Sequence, residues 1–235
     1  MSVLNTMPTH EHDYPQLLSL AVHEFRTPAS VVSGYLRMLQ RDTEHPLTSR
    51  QTRMVDEAEK SCARLVALVG ELSEISNLDA GTARLAQQSV DVFALAQELA
   101  GSVHEVADNM HLEFRGESAG APITGDLTRL RAAFGAIFRA ILREKASPCT
   151  VVVDCRINQT AERRAAVIVV AEADTVQTAY DSQPGPFDEK RGGLGLALPI
   201  ARRVIEAHGG RLSSPVKVLD RDGKGTAIIA FPLSE

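Results

Sequence analysis

Apolar residues recur every three, four or seven positions between Pro15 and about Asp42. Residues at these separations lie on one face of an α-helix, so the pattern predicts an amphipathic helix over this segment. The apolar positions are Leu18, Val22, Phe25, Val32, Tyr35 and Leu39. After a polar turn, Thr48 and Gln51 have the spacing of a capping box, which predicts the start of a second helix.

Two apolar sets repeat every seven residues in the second predicted helix. They are Val55, Cys62 and Val69 in one register and Ala58, Leu65 and Leu72 in the other. Such a seam packs against other helices. A hairpin of two helices leaves one apolar side uncovered, so we expect two copies to pair as a four-helix bundle and the chain to be a homodimer.

The pattern changes after a polar stretch at 77–88, which marks a predicted domain boundary. We therefore expect a helical-hairpin domain over residues 1–80 and a second domain over 88–235. In the second domain, strand-like and helix-like segments alternate, which predicts an α+β two-layer sandwich with a mixed sheet. The predicted helices are 92–109, 127–143 and 196–207, the predicted strands are 112–114, 150–156, 165–171, 211–218 and 225–231, and 174–191 is a predicted loop.

Composition narrows the classes of function. The 235 residues are 44% hydrophobic and 23% charged, with a net charge of −5, as in ordinary globular proteins. No apolar run is long enough for a signal peptide or a membrane span, so we predict a cytoplasmic location without membrane insertion. The acidic charge and the 4% aromatic content argue against nucleic-acid binding. The three cysteines lack C-x-x-C spacing, so no metal site is predicted.

The first predicted helix carries three polar residues, His23, Glu24 and Thr27, beside its apolar stripe. Phe25 belongs to the stripe, so its two preceding neighbours lie on flanking faces, and Thr27 follows the histidine by one turn. An exposed imidazole can act as a nucleophile toward a phosphoryl group, a neighbouring carboxylate can take its proton, and a hydroxyl can orient a water molecule. Pro28 removes a backbone donor and is expected to bend the helix.

The sequence H-E-F-R-T-P at 23–28, followed by a capped turn and a heptad helix, resembles the dimerisation and phosphoacceptor domain of sensor histidine kinases. The resemblance implies that His23 is the phosphoacceptor and that Glu24 assists phosphoryl transfer. It implies that Thr27 helps to hydrolyse the aspartyl phosphate of a response regulator. The receiver domain of such a regulator is therefore an expected partner.

The second domain resembles the ATP-binding domain of the same family, which has the fold of the gyrase, chaperone and kinase ATPases. The resemblance rests on Gly192, Gly193 and Gly195, on H-G-G at 208–210 and on G-K-G-T at 223–226. It implies that the three glycines approach nucleotide phosphates, since backbone N–H groups at a helix start attract anions. It also implies that Glu172 accepts a hydrogen bond from adenine. A tight turn explains the same glycines without a nucleotide, and we favour that interpretation.

Other positions depart from the family pattern. The magnesium-binding asparagine falls at Ala140 and an earlier asparagine at Ala136, and a methyl group cannot ligate Mg²⁺. Asp174 and Val176 stand where glycines would let the base approach. We therefore predict a degenerate ATP site without a certain cofactor, and ATP and Mg²⁺ would be required only by a working kinase.

Three functions stay open at this point. In the first, His23 exchanges phosphoryl groups with response-regulator aspartates, or Thr27 supports dephosphorylation of the regulator, and the ATP domain is degenerate. In the second, the chain is a cytoplasmic histidine kinase that autophosphorylates His23 with ATP. In the third, it is a non-catalytic interaction module that binds a regulator or a kinase. Because few residues precede the first predicted helix, we expect its input to come from a separate sensor protein or kinase.

Overall fold

The computed structural model describes residues 13–103, 112–145, 149–159, 164–190, 193, 195–218, 221–222 and 225–233. The chain divides into two compact units, Met1–Ala83 and Arg84–Glu235. The predicted domains, 1–80 and 88–235, each lie within one of these units. None of the helices in the described ranges is both long and apolar enough to span a membrane.

Two long helices, α1 (Asp13–Arg41) and α2 (Ser49–Asp79), make up the first unit. The predicted capping box is present at the start of α2. The hydroxyl of Thr48 accepts a hydrogen bond from the backbone N–H of Gln51, and the Gln51 side chain accepts one from the backbone N–H of Thr48. These reciprocal bonds satisfy backbone donors that a helix start leaves without partners. The predicted hairpin is confirmed.

Side-chain contacts between the two helices run in reverse order along the chain. The Gln40 side-chain amide donates to Asp56 Oδ1 at 2.9 Å, and the Cys62 thiol donates to the carbonyl of Ala29 at 3.1 Å. Late residues of α1 thus meet early residues of α2, as in an antiparallel pair.

The two heptad registers of α2 have different environments. Cys62 and Val69 are buried within the hairpin. Leu65, in the other register, is 58% exposed. A single chain therefore buries one apolar register of α2 and leaves much of the other accessible.

The described part of the second unit combines four helices with ten short strands. The helices are α3 (Val92–Ser102), α4 (Leu127–Arg143), α5 (Val176–Asp181) and α6 (Ala197–Ala207). The strands are β1 (Gln88–Asp91), β2 (Leu112–Gly116), β3 (Pro122–Gly125), β4 (Val151–Gln159), β5 (Arg164–Glu172), β6 (Pro184–Gly185), β7 (Arg211–Pro215), β8 (Lys217–Val218), β9 (Arg221–Asp222) and β10 (Ala227–Leu233). The predicted α+β architecture is confirmed.

The main sheet has the strand order β2-β4-β5-β10-β7-β6. Strand β2 runs parallel to β4, and the other neighbours are antiparallel, so the sheet is mixed as predicted. Strands β1 and β3 form a separate antiparallel ribbon, and β8 pairs with β9 in the same way.

One face of the main sheet packs against the helical layer. The ring centroid of Phe134 in α4 lies 6.3 Å from that of Phe231 in β10, and both side chains are fully buried. Phe231 is opposite Ala166 in the register of β10 and β5, and Ile168 follows on the same face. This face forms the main core of the unit, because its apolar side chains and those of α4 are removed from water together.

Helix α5 covers part of the opposite face of the sheet. Since side chains alternate along a strand, Val167 and Val169 point away from the Phe231 face. They form a buried cluster with Val176 and Ala179 of α5. The segment 174–191, expected to be a loop, therefore contains a helix, and β6 follows it as an edge strand.

The strand predicted over 211–218 is divided between β7 of the main sheet and β8 of a separate ribbon, and the other predicted elements differ from the structure mainly at their ends. Helix α4 has the predicted bounds, whereas the helix predicted over 92–109 ends at Ser102, and 104–111 lie outside the described residues. Strands β1 and β3 were not predicted. Each has four residues and pairs only with the other, so neither has an alternating pattern long enough to indicate a strand.

A group of hydrogen bonds joins three segments where α4 begins. Asp126 accepts from the backbone N–H groups of Arg129 and Ala86, and its own N–H donates to Nε2 of His208 at 2.9 Å. Burial acts to raise the pKa of Asp126, but these backbone bonds prevail and lower it, so the capping carboxylate stays charged. Nδ1 of His208 lies 2.6 Å from the carbonyl of Val204, so this nitrogen carries the ring proton.

Gly125 is required by the position of His208. A Cβ added at Gly125 would lie 2.4 Å from Cδ2 of His208 and 3.2 Å from Cδ1 of Leu130. We predict that Gly125→Ala lowers the free energy of unfolding by about 2 kcal/mol, because the imidazole must leave its place. Gly101→Ala in α3 is the control, since nothing lies within 4 Å of its added Cβ. Denaturant unfolding followed by circular dichroism measures both, and equal effects would contradict the prediction.

Candidate functional site

His23 lies on the exposed surface of α1. Its side chain is 77% exposed and that of Glu24 is 71% exposed. Nδ1 of His23 is 3.3 Å from Oε1 of Glu24. Neighbouring side chains on the helix thus form an accessible imidazole and carboxylate pair.

The carboxylate determines which ring nitrogen of His23 can react. A charged carboxylate only accepts hydrogen bonds, so Nδ1 must carry the proton in this contact. In the neutral ring, Nε2 then has the lone pair. Nε2 is therefore the nitrogen of His23 that can attack an electrophile from solvent.

Thr27 is also exposed, one turn after His23 on the same helix. Helix α1 continues through Pro28, which lies inside it. Because proline has no backbone N–H, the carbonyl of Glu24 lacks the donor that position 28 supplies in a regular helix. The three predicted site residues of α1 are thus all accessible to a partner.

The hairpin carries most of the exposed large apolar side chains among the residues that the structure describes. Twelve of the thirteen exposed large apolar side chains in the described residues lie on α1 and α2. On α1 they are Tyr14, Leu17, Leu20, Phe25, Val31, Val32, Tyr35, Met38 and Leu39, and on α2 they are Met54, Leu65 and Val66. Monomeric proteins rarely expose apolar surface of this extent, so this face of the hairpin is typical of an interaction surface.

In the second unit, the side chain of Glu172 is bonded to a cation of its own chain. Glu172 is the last residue of β5, and Lys145 follows the end of α4. Nζ of Lys145 donates to Oε1 of Glu172 at 2.8 Å, and the lysine side chain is only 11% exposed. The carboxylate expected to accept a hydrogen bond from adenine is thus engaged by a lysine.

The positions expected to hold magnesium have no oxygen ligands. Ala136 and Ala140 are 3% and 0% exposed in the packed α4. Val176, at a position where a glycine would admit the base, is 5% exposed in the cluster under α5. The side chains at these three positions do not fit a magnesium-bound nucleotide, because they offer only apolar contact.

The glycines before α6 have a backbone reason to be glycine. Gly193 has φ +60° and Gly195 has φ +62°, and no atom lies within 4 Å of a Cβ added at either position. Left-handed backbone of this kind favours glycine whether or not a ligand is present. Gly192 lies outside the described residues, so its predicted contact with a nucleotide is not described.

Ion pairs attach the segment before α6 to the helix itself. Glu189 pairs with Arg202, and its second oxygen lies 3.8 Å from Arg203. Arg202 also pairs with Glu206 at 3.2 Å. Phe187 is 7% exposed nearby in the chain. This part of the expected loop is therefore packed against α6, and Phe187, Glu189 and Arg202 line a cavity of about 400 Å³ beside that helix.

Tyr180 of α5 connects the helix to the second face of the sheet. Its hydroxyl donates to the side chain of Asp154 at 2.9 Å, and the guanidinium of Arg156 lies 4.2 Å from the centre of its ring. Burial raises the pKa of Tyr180, and the charge of Asp154 raises it further, so the hydroxyl keeps its proton and stays a donor.

Neither Lys145 nor Tyr180 was singled out from the sequence. Lys145 is close along the chain to the end of a predicted helix, and Glu172 to the end of a predicted strand. Their pairing depends on how the helix lies over the sheet, which sequence spacing does not specify. The only sign of this ion pair in the sequence was a lysine near the end of one predicted element and a glutamate near the end of another.

Comparison with known proteins finds a family model and several relatives that match this chain. Residues 16–81 match the model of the His Kinase A (phospho-acceptor) domain. The chain is 25% identical over 206 residues to the alginate biosynthesis sensor protein KinB of Pseudomonas aeruginosa. This alignment covers 82% of this chain and 33% of KinB. It is 26% identical over 203 residues to the signal transduction histidine-protein kinase BaeS of Escherichia coli, covering 81% of this chain and 41% of BaeS.

This chain thus resembles sensor histidine kinases, with the match to a family model lying in residues 16–81. It spans between a third and a half of the length of these two relatives. Among solved structures, full-length ShkA in complex with AMPPNP aligns with a TM-score of 0.61 and 21% identity, over 93% of this chain and 45% of ShkA. At that identity the likeness establishes the fold alone.

The bond between α5 and the sheet has a measurable effect on stability. We predict that Tyr180→Phe lowers the free energy of unfolding by about 1 to 2 kcal/mol, because the buried Asp154 loses a hydrogen-bond donor. Tyr35→Phe is the matched control, since the Tyr35 side chain is 64% exposed. Thermal unfolding of both variants measures the difference, and a loss of similar size in the control would refute this role of the Tyr180 hydroxyl.

Proposed function

We propose that this chain is a two-component signalling protein in which His23 exchanges phosphoryl groups with the receiver aspartate of a response regulator. The observation that carries the proposal is the contact between Nδ1 of His23 and Glu24, on an exposed helix face. A histidine held in this tautomer presents the lone pair of Nε2 to a large partner.

The transfer step follows from this tautomer. Nε2 of His23 attacks the phosphorus of the aspartyl phosphate, so an N–P bond forms and the P–O bond to the aspartate breaks. The aspartate leaves as a carboxylate. The ring then carries an extra positive charge, and Glu24 stabilises it or takes the proton from Nδ1.

Thr27 has a separate role in the proposal. Its hydroxyl, one turn from His23, orients a water molecule toward the aspartyl phosphate of a bound regulator. Attack by this water returns the regulator to its unphosphorylated form and releases inorganic phosphate. Exchange at His23 and hydrolysis through Thr27 use the same docked partner but depend on different side chains. Substitution of one residue can therefore remove one activity and leave the other.

The second unit does not supply ATP in this proposal. Apolar Ala136 and Ala140 in place of oxygen ligands support it, as does the bond between Lys145 and Glu172. Without a divalent cation, the charge that develops during transfer from ATP lacks its usual neutralisation. The phosphoryl group on His23 therefore comes from a phosphorylated partner.

The hairpin pairs with a second copy of itself in this proposal. Phe25, Val32 and Leu39 repeat every seven residues along α1 and are at least 47% exposed. Pairing two hairpins covers such faces in a four-helix bundle. Three points stay predictions. They are that the partner is a response regulator, that the signal comes from a separate sensor protein or kinase, and that the protein is cytoplasmic.

The transfer is tested with purified receiver domain carrying labelled phosphate on its aspartate. We expect label to move to the wild-type chain and not to His23→Ala, and Glu24→Gln to slow the transfer about 100-fold. Thr27→Ala is expected to slow regulator dephosphorylation by a similar factor while leaving transfer to His23 intact. Thr27→Ser is the control because it keeps the hydroxyl.

The same preparation separates the alternatives. Labelled ATP with Mg²⁺ should leave the folded wild-type chain unlabelled, and label that depends on His23 would instead make the chain an autokinase. Binding of the regulator with neither transfer nor faster dephosphorylation would make it an interaction module and would overturn the proposal.

Pairing of the hairpins is tested by the mass in solution. Wild type should sediment at about twice its chain mass of 25.4 kDa. Val32→Glu should shift the protein toward the monomer, because it places a charge on the apolar face that the partner copy covers. Ser30→Glu adds the same charge on an exposed polar position of α1 and is expected to stay dimeric. A monomeric wild type, or equal dissociation of both variants, would contradict the bundle.

A further inference from the structure

Three elements of the second unit meet around the ammonium group of Lys145. The lysine follows α4, Glu172 ends β5, and Gly225 comes just before β10. Nζ lies 2.8 Å from Oε1 of Glu172. The lysine side chain is 11% exposed and that of Glu172 is 30% exposed, so the charge pair is largely withdrawn from water.

Gly225 leaves the space that the ammonium group uses. A Cβ added at Gly225 would lie 2.8 Å from Nζ of Lys145, and the glycine has φ +82°. A side chain at this position would be strained and would also displace the lysine. The backbone at Gly225, just before β10, thus leaves room for the ion pair of Lys145 and Glu172.

The surroundings favour a cation here. Burial raises the pKa of Cys149, and the charge of Glu172 raises it further, so this nearby thiol is neutral. The charges of Lys145 and Asp174 also act on Cys149, and Oε2 of Glu144 lies 4.0 Å from a Cβ added at Gly225, so three carboxylates lie near this one ammonium group. The ammonium group of Lys145 therefore offsets the negative charge of the carboxylates around it.

We infer that Lys145 is a built-in occupant of the position where the amino group of a purine base would bond to Glu172, and that it excludes adenine nucleotides from the second unit. The inference rests on the proposed function, in which this unit does not use ATP. An amino group of a base offers the Glu172 carboxylate a neutral donor, whereas the ammonium group offers a donor of opposite charge and adds an ion pair to the hydrogen bond. A nucleotide would also have to leave a largely buried ammonium group without its partner.

Thermal unfolding of the full chain tests the pair itself. Lys145→Met keeps the aliphatic length and removes the charge, and Glu172→Gln keeps the shape and removes the charge. Each should lower the melting temperature by about 3 °C or more, and the double variant should lose less than the sum of the two. The matched control is Arg131→Met with Glu98→Gln, an exposed pair between α4 and α3 that should give small, additive losses. Additive losses at Lys145 and Glu172 would overturn the inference.

Nucleotide binding tests the occupancy. The probe is ADP with a fluorescent group on its ribose, titrated into each folded variant. Lys145→Met should bind it at least about tenfold more tightly than wild type, and Lys145→Met with Glu172→Gln should lose that gain. Lys145→Arg keeps a cation and should exclude the probe as wild type does. Equal affinity in wild type and Lys145→Met would overturn the inference.

The two proposals fail in different assays. Nucleotide binding by wild type would remove the role of Lys145 but leave transfer from a phosphorylated regulator to His23 intact. Loss of that transfer would remove the proposed function and leave the coupling between Lys145 and Glu172 unchanged.

Discussion

The packing of α4 against the sheet is the interaction on which the second unit depends. Leu130, Phe134, Phe138 and Ile141 have no accessible surface, and Phe134 meets Phe231 of the sheet. Burial of each large apolar side chain contributes about 1.5 to 3 kcal/mol relative to exposure, so this helix carries much of the driving force for the unit.

The same packing has a chemical consequence. Ala136 and Ala140 are small enough to be enclosed when α4 is surrounded on nearly every side, and both are almost inaccessible. A polar side chain at either position would need a hydrogen-bonding partner inside the unit or access to solvent. The residues that make α4 an apolar, enclosed helix thus offer no oxygen ligand at Ala136 and Ala140.

The hairpin has the opposite character. Nearly all of the exposed large apolar side chains in the part of the chain that the structure describes belong to the hairpin, and His23, Glu24 and Thr27 lie accessible among them. The second unit buries its apolar side chains in a core, whereas the hairpin exposes apolar side chains together with a histidine, a carboxylate and a hydroxyl. This contrast is why the proposed function assigns transfer and pairing to the hairpin and assigns no chemical step to the second unit.

Local chemistry was sufficient to determine much of this protein from its sequence. The helical spacing, the Thr48 capping box and the bounds of α4 depend on neighbours within a few residues, so they were predictable, and the H-E-F-R-T-P sequence placed the candidate histidine. The ribbon of β1 and β3, the docking of α5 through Tyr180 and the bond between Lys145 and Glu172 join residues far apart in the chain. Only the tertiary structure decided these, because such contacts depend on how elements are placed on the sheet, and residue spacing does not encode that placement.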